Sequence, residues 1–175
     1  MSLVILDLEW NTAFCKELNR YVNEIVEFGA IKLDSKLNEE GRFSCLVKPT
    51  VAKGIHPQVK KLLKIDFSEL KRAEKTFPYV IDDFAEFLGD STLLTWSNTD
   101  LHTLLDNCEL HFMEDNLPFL KSFCDLQKYC EYSLGVSSAF SPSTYTFLPA
   151  ISISKPSNFK ISLPSDFVWR RLVTA

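Results

Sequence analysis

The start of the chain carries the pattern that most restricts how it can fold. Residues 3–8 are apolar except for Asp7, and Glu9 follows two positions later. Residues i and i+2 of a strand point to the same face of a sheet, so we expect a buried strand that presents both carboxylates at its end. Neighbouring carboxylates repel each other and lose hydration on burial, and a divalent cation relieves both costs. Such oxygen ligands suit Mg²⁺ or Mn²⁺, and paired ions of this kind drive phosphodiester hydrolysis. The pair alone is weak evidence, because many strands end in acids that face water.

The length and composition predict one soluble globular domain. The chain has 175 residues, which is enough for a single domain with a proper core. Its net charge of −4 argues against a protein that coats nucleic acid electrostatically. An acidic metal site needs no overall basic charge, since the ions supply positive charge locally. Composition therefore neither supports nor excludes a nucleic-acid substrate.

The five cysteines favour a cytoplasmic protein. Their number is odd and no Cys-x-x-Cys pair occurs, which argues against a zinc site and against a disulfide framework. Reduced, mostly buried thiols are the expected state. The apolar run at the N-terminus is too short for a signal peptide or a membrane span, so we expect no membrane association.

The periodicity along the chain predicts an α/β fold with a mixed sheet flanked by helices. We expect the first three strands to form an antiparallel meander, with residues 13–24 as a polar excursion between the first two. Helical spacing then alternates with one short buried strand, and Asn98 or Thr99 is expected to cap the helix that follows it. The predicted strands are 3–8, 24–33, 42–49 and 93–96, and the predicted helices are 57–63, 66–70, 77–88, one from 100 onward and at least one within 117–132.

A third carboxylate, Asp100, opens the helix after the fourth strand. An acid in the first turn of a helix is ordinary, because the helix dipole stabilises its charge. Ligands in open α/β sheets nevertheless gather at strand ends. If strand 93–96 lies beside strand 3–8, Asp100 completes a three-carboxylate cluster with Asp7 and Glu9.

Four segments in order, 7–11, 24–34, 43–49 and 95–101, resemble the DEDD superfamily of 3′-5′ exonucleases, which includes ribonuclease T and the proofreading subunit of bacterial DNA polymerase III. The resemblance covers roughly residues 3–135 and looks most like the small stand-alone bacterial type. It implies a ribonuclease H-like fold and a nucleic-acid partner, the 3′ end of single-stranded DNA or RNA. It also implies that Asp7, Glu9 and Asp100 are catalytic and hold two ions, Mg²⁺ or Mn²⁺. By the same resemblance, Trp10, Asn11 and Thr12 contact the terminal nucleotide, and Trp10 can stack on its base, although a core role for this tryptophan is equally compatible with the pattern.

The third motif of these exonucleases, a fourth carboxylate with a His or Tyr base four or five residues before it, has no counterpart in the chain. The last histidine is His111, and Asp166 is the only acid after Glu131. The composition changes at the same point, so we expect residues 1–135 to form the exonuclease-like domain and residues 136–175 to be an atypical Ser/Pro-rich tail, either edge strands or poorly ordered. A shifted frame, a truncation or a replaced segment explains such a tail. Without a base and with one ion weakly held, we expect impaired activity.

Two other functions are weighed against an active exonuclease. A catalytically inactive nucleic-acid-binding or regulatory domain keeps the fold and loses the chemistry. A small-molecule phosphatase or kinase is disfavoured, because the chain has no Gly-x-x-x-x-Gly-Lys loop. The aromatic-rich tail is compatible with a homodimer. A basic stretch can track a phosphate backbone, although a solvated helix face is the commoner origin of such a run; it comprises Lys60, Lys61, Lys64, Lys71 and Arg72.

Overall fold

The computed structural model describes residues 2–63, 66–113 and 119–134. The predicted tail at 136–175 lies outside the described residues. In chain order the elements are β1 (Leu3–Cys15), β2 (Arg20–Leu33), β3 (Glu39–Leu46), α1 (Pro57–Leu63), α2 (Phe67–Arg72), α3 (Phe77–Leu88), β4 (Thr92–Thr95), α4 (Asn98–Leu110), β5 (Phe123–Asp125) and α5 (Leu126–Leu134).

The strands form one five-stranded sheet in the order β3-β2-β1-β4-β5. The first three strands are antiparallel neighbours, as the meander predicts, whereas β4 runs parallel to both β1 and β5. Leu3, Val4 and Ile5 pair with Thr92, Leu93 and Leu94. The mixed sheet confirms the predicted α/β class, and the pairing of β1 with β4 meets the condition for bringing Asp100 to the first strand.

The core lies on both faces of the sheet because side chains alternate along β1. Val4, Leu6 and Leu8 point into the larger cluster, which also contains residues from α3 and α4. Leu3 and Ile5 point to the other face, where they meet Ile31, Leu33 and Leu94. Asp7 and Glu9 continue the row of Leu3 and Ile5, since the side-chain period of a strand is two. The apolar alternation therefore decides the face from which the two acids project.

The prediction of a polar excursion at residues 13–24 is wrong. The β1–β2 ladder continues as far as the Cys15–Arg20 pair, so these residues form the outer part of a long hairpin. Cys15 and Val22 are buried in the hairpin, whereas Phe14 and Tyr21 are exposed on it. The polar tip, residues 16–19, hides this alternation in the sequence. A β-bulge interrupts the ladder at Glu9/Trp10, where β2 carries one extra residue, Val26.

Several helix ends differ from expectation by one or two residues. Helix α3 begins and ends as predicted, and Gly89 with φ 56° caps its C-terminus. The cap of α4 is Ser97, one residue before the predicted candidates, and its hydroxyl accepts from the Thr99 amide at 3.2 Å. The short strand β5 was not predicted, because three residues carry too little periodicity. No helix within the described part of the chain is long and apolar enough to cross a membrane.

Candidate carboxylate site

Asp7 and Glu9 lie in the central strand, next to the bulge. Asp7 pairs with Gly29 and Glu9 pairs with Glu27 across the antiparallel ladder. Both β1 acids are partly exposed, whereas Glu27 is buried. Cross-strand partners share a face of the sheet, so Glu27 adds a fourth carboxylate beside Glu9. Sequence reasoning missed this acid, because only the register of β1 against β2 identifies it.

Asp100 comes to the same place from the first turn of α4. Its Oδ1 accepts a hydrogen bond from the Leu8 amide at 3.1 Å, and its side chain is buried. Leu8 lies between Asp7 and Glu9 in sequence, so this bond fixes the start of α4 against the strand that carries both acids. The structure thus brings Asp100 to the segment of β1 that carries Asp7 and Glu9.

The carboxylates perturb one another electrostatically. Burial, the largest cause, and the negative charges of Asp100, Glu9 and Glu27 together raise the pKa of Asp7 from 3.8 to about 7. Burial also raises the pKa of Asp100, although the hydrogen bond from the Leu8 amide opposes the shift. A concentration of negative charge in a partly buried setting is the environment that a divalent cation stabilises.

The donor set fits a hard divalent cation, since it consists of carboxylate oxygens. In residues 2–63, 66–113 and 119–134, no three His, Cys, Asp or Glu side chains are already arranged to hold a metal ion. The assignment of Asp7, Glu9 and Asp100 as ligands therefore stays a prediction.

The three residues predicted to contact the terminal nucleotide lie in different surroundings. Trp10 is partly buried and packs against the larger core cluster. Asn11 is buried, whereas Thr12 is exposed and donates from its hydroxyl to Asn23 Oδ1 at 2.8 Å. Trp10 and Thr12 share a face of β1, and Asn11 points to the other face. Their contact with a nucleotide stays a prediction.

Two buried polar side chains, Asn11 and Glu24, hold the loop that follows β3. They are direct cross-strand partners just beyond the bulge. Asn11 donates to the Gly54 carbonyl at 3.0 Å and accepts from the His56 amide at 2.8 Å. The Glu24 carboxylate accepts from the amides and hydroxyl of the loop, namely from Thr50 N at 2.5 Å, Thr50 Oγ1 at 3.0 Å, Val51 N at 2.8 Å and Ala52 N at 2.8 Å. The loop is thereby fixed beside the carboxylate site.

The three histidines lie in different surroundings. His111 stacks on Phe77, with ring centroids 5.2 Å apart, and burial lowers its pKa. His102 and His56 are exposed. Within the basic stretch, Lys60 pairs with Asp66 at 2.5 Å and Lys71 lies 5.1 Å from the centroid of the Phe67 ring, so two of its cations have intramolecular partners. Lys64 lies outside the described residues.

A groove of about 610 Å³ lies at the outer end of the hairpin. Its lining comes from residues 12–18 of the hairpin, from residues 50–51 and 53–54 of the loop that Asn11 and Glu24 hold, and from residues 110–112 at the end of α4. The lining includes Phe14, Lys16, Lys53 and Phe112.

Comparison with known proteins identifies relatives among nucleases. The model of the RNase_T family, described as an exonuclease family, matches residues 4–143. The protein named "Probable 3'-5' exonuclease KapD" of Bacillus subtilis (strain 168) is 29% identical over 126 residues, which span 67% of this chain and 56% of that protein.

Solved structures share the fold. The nuclease domain of 3'hExo, described as a DEDDh family member bound to rAMP, is 24% identical with a TM-score of 0.64, covering 78% of this chain and 72% of that one. Exonuclease I of E. coli in complex with a dT13 oligonucleotide is 17% identical with a TM-score of 0.58, covering 76% of this chain and 30% of the other.

Proposed function

The chain belongs to the RNase_T exonuclease family, and from that premise we propose that it is a metal-dependent 3′-5′ exonuclease acting on single-stranded DNA or RNA. Family membership and the ribonuclease H-like sheet confirm the predicted resemblance to DEDD exonucleases. Because the chain spans little more than half the length of its curated relative, the activity and substrate of that whole protein are carried over as part of this proposal. The cytoplasm, where the five free cysteines stay reduced, is the proposed location.

The hydrogen bond from Leu8 N to Asp100 Oδ1 is the observation that carries the proposal. It joins the start of α4 to the strand between Asp7 and Glu9, which are far from Asp100 in sequence. In this proposal Asp7, Glu9 and Asp100 would hold Mg²⁺ or Mn²⁺. The bound ions supply Lewis acidity for activating water and stabilising the leaving 3′ oxygen. Because the pKa of Asp7 is about 7, its carboxyl group is roughly half protonated at neutral pH, and a bound cation would favour the ionised form.

We further propose that hydrolysis is slow in this chain. The sequence has no recognisable third motif, so neither its carboxylate nor its base is supplied at the usual position. Loss of a positioned general base costs on the order of a hundredfold in rate.

A manganese-dependent digestion assay tests the proposal. A 5′-labelled single strand incubated with the full chain and Mn²⁺ should yield a slow ladder that shortens from the 3′ end and that a chelator abolishes. Asp100→Asn should abolish the ladder, whereas Asp106→Asn, at an exposed position on the same helix, should leave it unchanged. Activity that Asp100→Asn leaves intact contradicts the site, and rapid digestion by the wild type contradicts the impairment.

An inactive nucleic-acid-binding domain is the second candidate. It is favoured by the absence of a recognisable third motif from the sequence, since that motif supplies a carboxylate and the base. Calorimetric titration with Mn²⁺ separates the two functions. Binding of Mn²⁺ that Asp7→Ala abolishes supports the exonuclease, whereas binding of single strands without Mn²⁺ uptake or cleavage supports the second candidate. The predicted homodimer is tested on the same samples by sedimentation.

A further inference from the structure

The outer face of the β1–β2 hairpin displays large aromatic side chains to solvent. Phe14 and Tyr21 are direct cross-strand partners, with ring centroids 5.3 Å apart in an edge-to-face arrangement. They are 47% and 72% exposed, and Phe112, which lines the groove together with Phe14, is 89% exposed. Phe112 also adopts a positive φ of 56°, which is strained for a bulky residue. The cross-strand pair contributes to the stability of the hairpin, but burial does not account for so much exposed aromatic surface at one place, which is typical of an interaction site.

This aromatic surface lies in line with two of the three residues predicted to contact the terminal nucleotide, Trp10 and Thr12, whereas Asn11 belongs to the row of Asp7 and Glu9 on the other face of β1. Trp10, Thr12 and Phe14 occupy alternate positions of β1 and therefore form one row on one face. At about 3.4 Å per residue, the row places Phe14 roughly 14 Å from Trp10. Each strand of a DNA duplex advances by about 3.4 Å per nucleotide, so at that spacing the separation corresponds to about four nucleotides, and a more extended single strand spans it with fewer.

The charges around the groove suit a polyanion. Lys16 and Lys53 line it, and Glu17 is the acid among its described lining residues. Arg20, at the tip of the hairpin, is exposed and pairs with Glu109 at 3.4 Å. Cations interleaved with exposed rings are typical of surfaces that bind single strands without regard to sequence, because every base has a face that stacks.

We propose that Phe14, Tyr21 and Phe112, with Lys16 and Lys53, bind the single strand within about four nucleotides of its 3′ end. The inference rests on the proposed function and deepens it, since it assigns a second contact to the same substrate. The rings stack on bases, and the lysines lie beside phosphates. The second contact predicts that the chain prefers long single strands over very short ones.

The test compares two oligonucleotide lengths and two sets of variants. Fluorescence anisotropy with 5′-labelled dT3 and dT12, in a chelator to prevent cleavage, reports binding. Phe14→Leu combined with Tyr21→Leu keeps apolar side chains on the strands and removes the rings. Tyr79→Leu, at a 66% exposed tyrosine of α3, is the matched control.

We expect the double variant to bind dT12 roughly ten- to hundredfold more weakly, since stacking one base on a ring contributes about 1–3 kcal/mol. Binding of dT3 should not change, and Tyr79→Leu should match the wild type with both oligonucleotides. Lys53→Ala provides a second variant, at an exposed loop position, and should weaken dT12 binding most at low salt.

The outcomes distinguish this inference from the function on which it rests. If the wild type digests single strands and the double variant binds dT12 as tightly as the wild type does, the inference alone is overturned. Wild-type chain that neither binds nor digests single strands overturns the proposed function and the inference with it. Sedimentation gives a further outcome: a dimer that the double variant converts to monomers, with unchanged dT12 binding, assigns the rings to self-association and overturns the inference.

Discussion

Replacing Glu24 by glutamine should destabilise the protein by a predictable amount. The Glu24 carboxylate is buried and accepts four hydrogen bonds from loop residues 50–52. Three of these bonds end on Oε1 and the fourth, from the Ala52 amide, ends on Oε2. Glutamine has nearly the same shape, but it offers one acceptor oxygen and turns a donor toward the other amide. The substitution therefore changes the hydrogen bonding and leaves the packing almost intact.

The magnitude follows from the bonds that change. A neutral hydrogen bond contributes about 1 kcal/mol and a charge-assisted one about 2 kcal/mol. The three bonds on Oε1 then lose about 1 kcal/mol each, and the Ala52 amide loses a bond of about 2 kcal/mol. Thr50 is exposed, so water replaces part of what its two donors lose. We expect a net loss of about 3 kcal/mol, which for a domain of this size lowers Tm by roughly 9 °C.

Urea unfolding followed by circular dichroism measures the loss, and hydrogen exchange of the Val51 and Ala52 amides locates it. Glu86→Gln, at an exposed position on α3, is the matched control and should change the unfolding free energy by less than about 0.5 kcal/mol. If Glu24→Gln unfolds at the wild-type urea concentration with both amides still protected, the carboxylate does not hold the loop and the reasoning is refuted.

Two further predictions concern buried polar groups. Because the pKa of Asp7 lies near 7 in the fold and near 3.8 when unfolded, the native state binds the proton more tightly, and the unfolding free energy of the metal-free protein falls as pH rises between these values. Urea titrations in a chelator measure the unfolding free energy of Asp7→Asn relative to the wild type, and this difference should shift in favour of the variant by about 2–3 kcal/mol between pH 5 and pH 8. A difference between variant and wild type that is the same at both pH values contradicts the prediction. Asn107→Leu leaves the Ile25 amide and the Asn23 carbonyl without their side-chain partner and should cost about 3 kcal/mol in the same unfolding assay, with the exposed Asp106→Leu as control.

The sequence predicts the centre of the sheet well, because local pattern and long-range pairing agree there. The apolar run before Asp7 and the short run before Trp96 are both buried strands, and they pair as neighbours. The outer hairpin was missed for a physical reason: its exposed face carries polar and aromatic residues, and its tip is charged. Such a segment lacks the burial signal on which period-two prediction depends.

In the candidate site, too, the sequence identifies some residues and misses others. Asp7 and Glu9 are two residues apart, so their shared face follows from strand geometry alone, and Asp100 follows from the pairing of two strands. Glu27 and Glu24 depend on the register of β1 against β2 and on the position of a bulge, and neither can be read from one chain. Asn107 likewise reaches β2 from α4, a contact that no local pattern encodes.

The uninterrupted length of β1 limits how relatives of this chain can vary. One strand carries Asp7, Glu9, Trp10 and Phe14, so deleting a single residue between Trp10 and Phe14 turns the aromatic ring to the opposite face. Deleting two residues keeps the ring on the same face and shortens the distance between Trp10 and the ring by about 7 Å. Insertions at residues 16–19 change neither the face of the ring nor its distance from Trp10. Length variation among relatives should therefore gather at the tip of the hairpin, and within the strand it should come in steps of two.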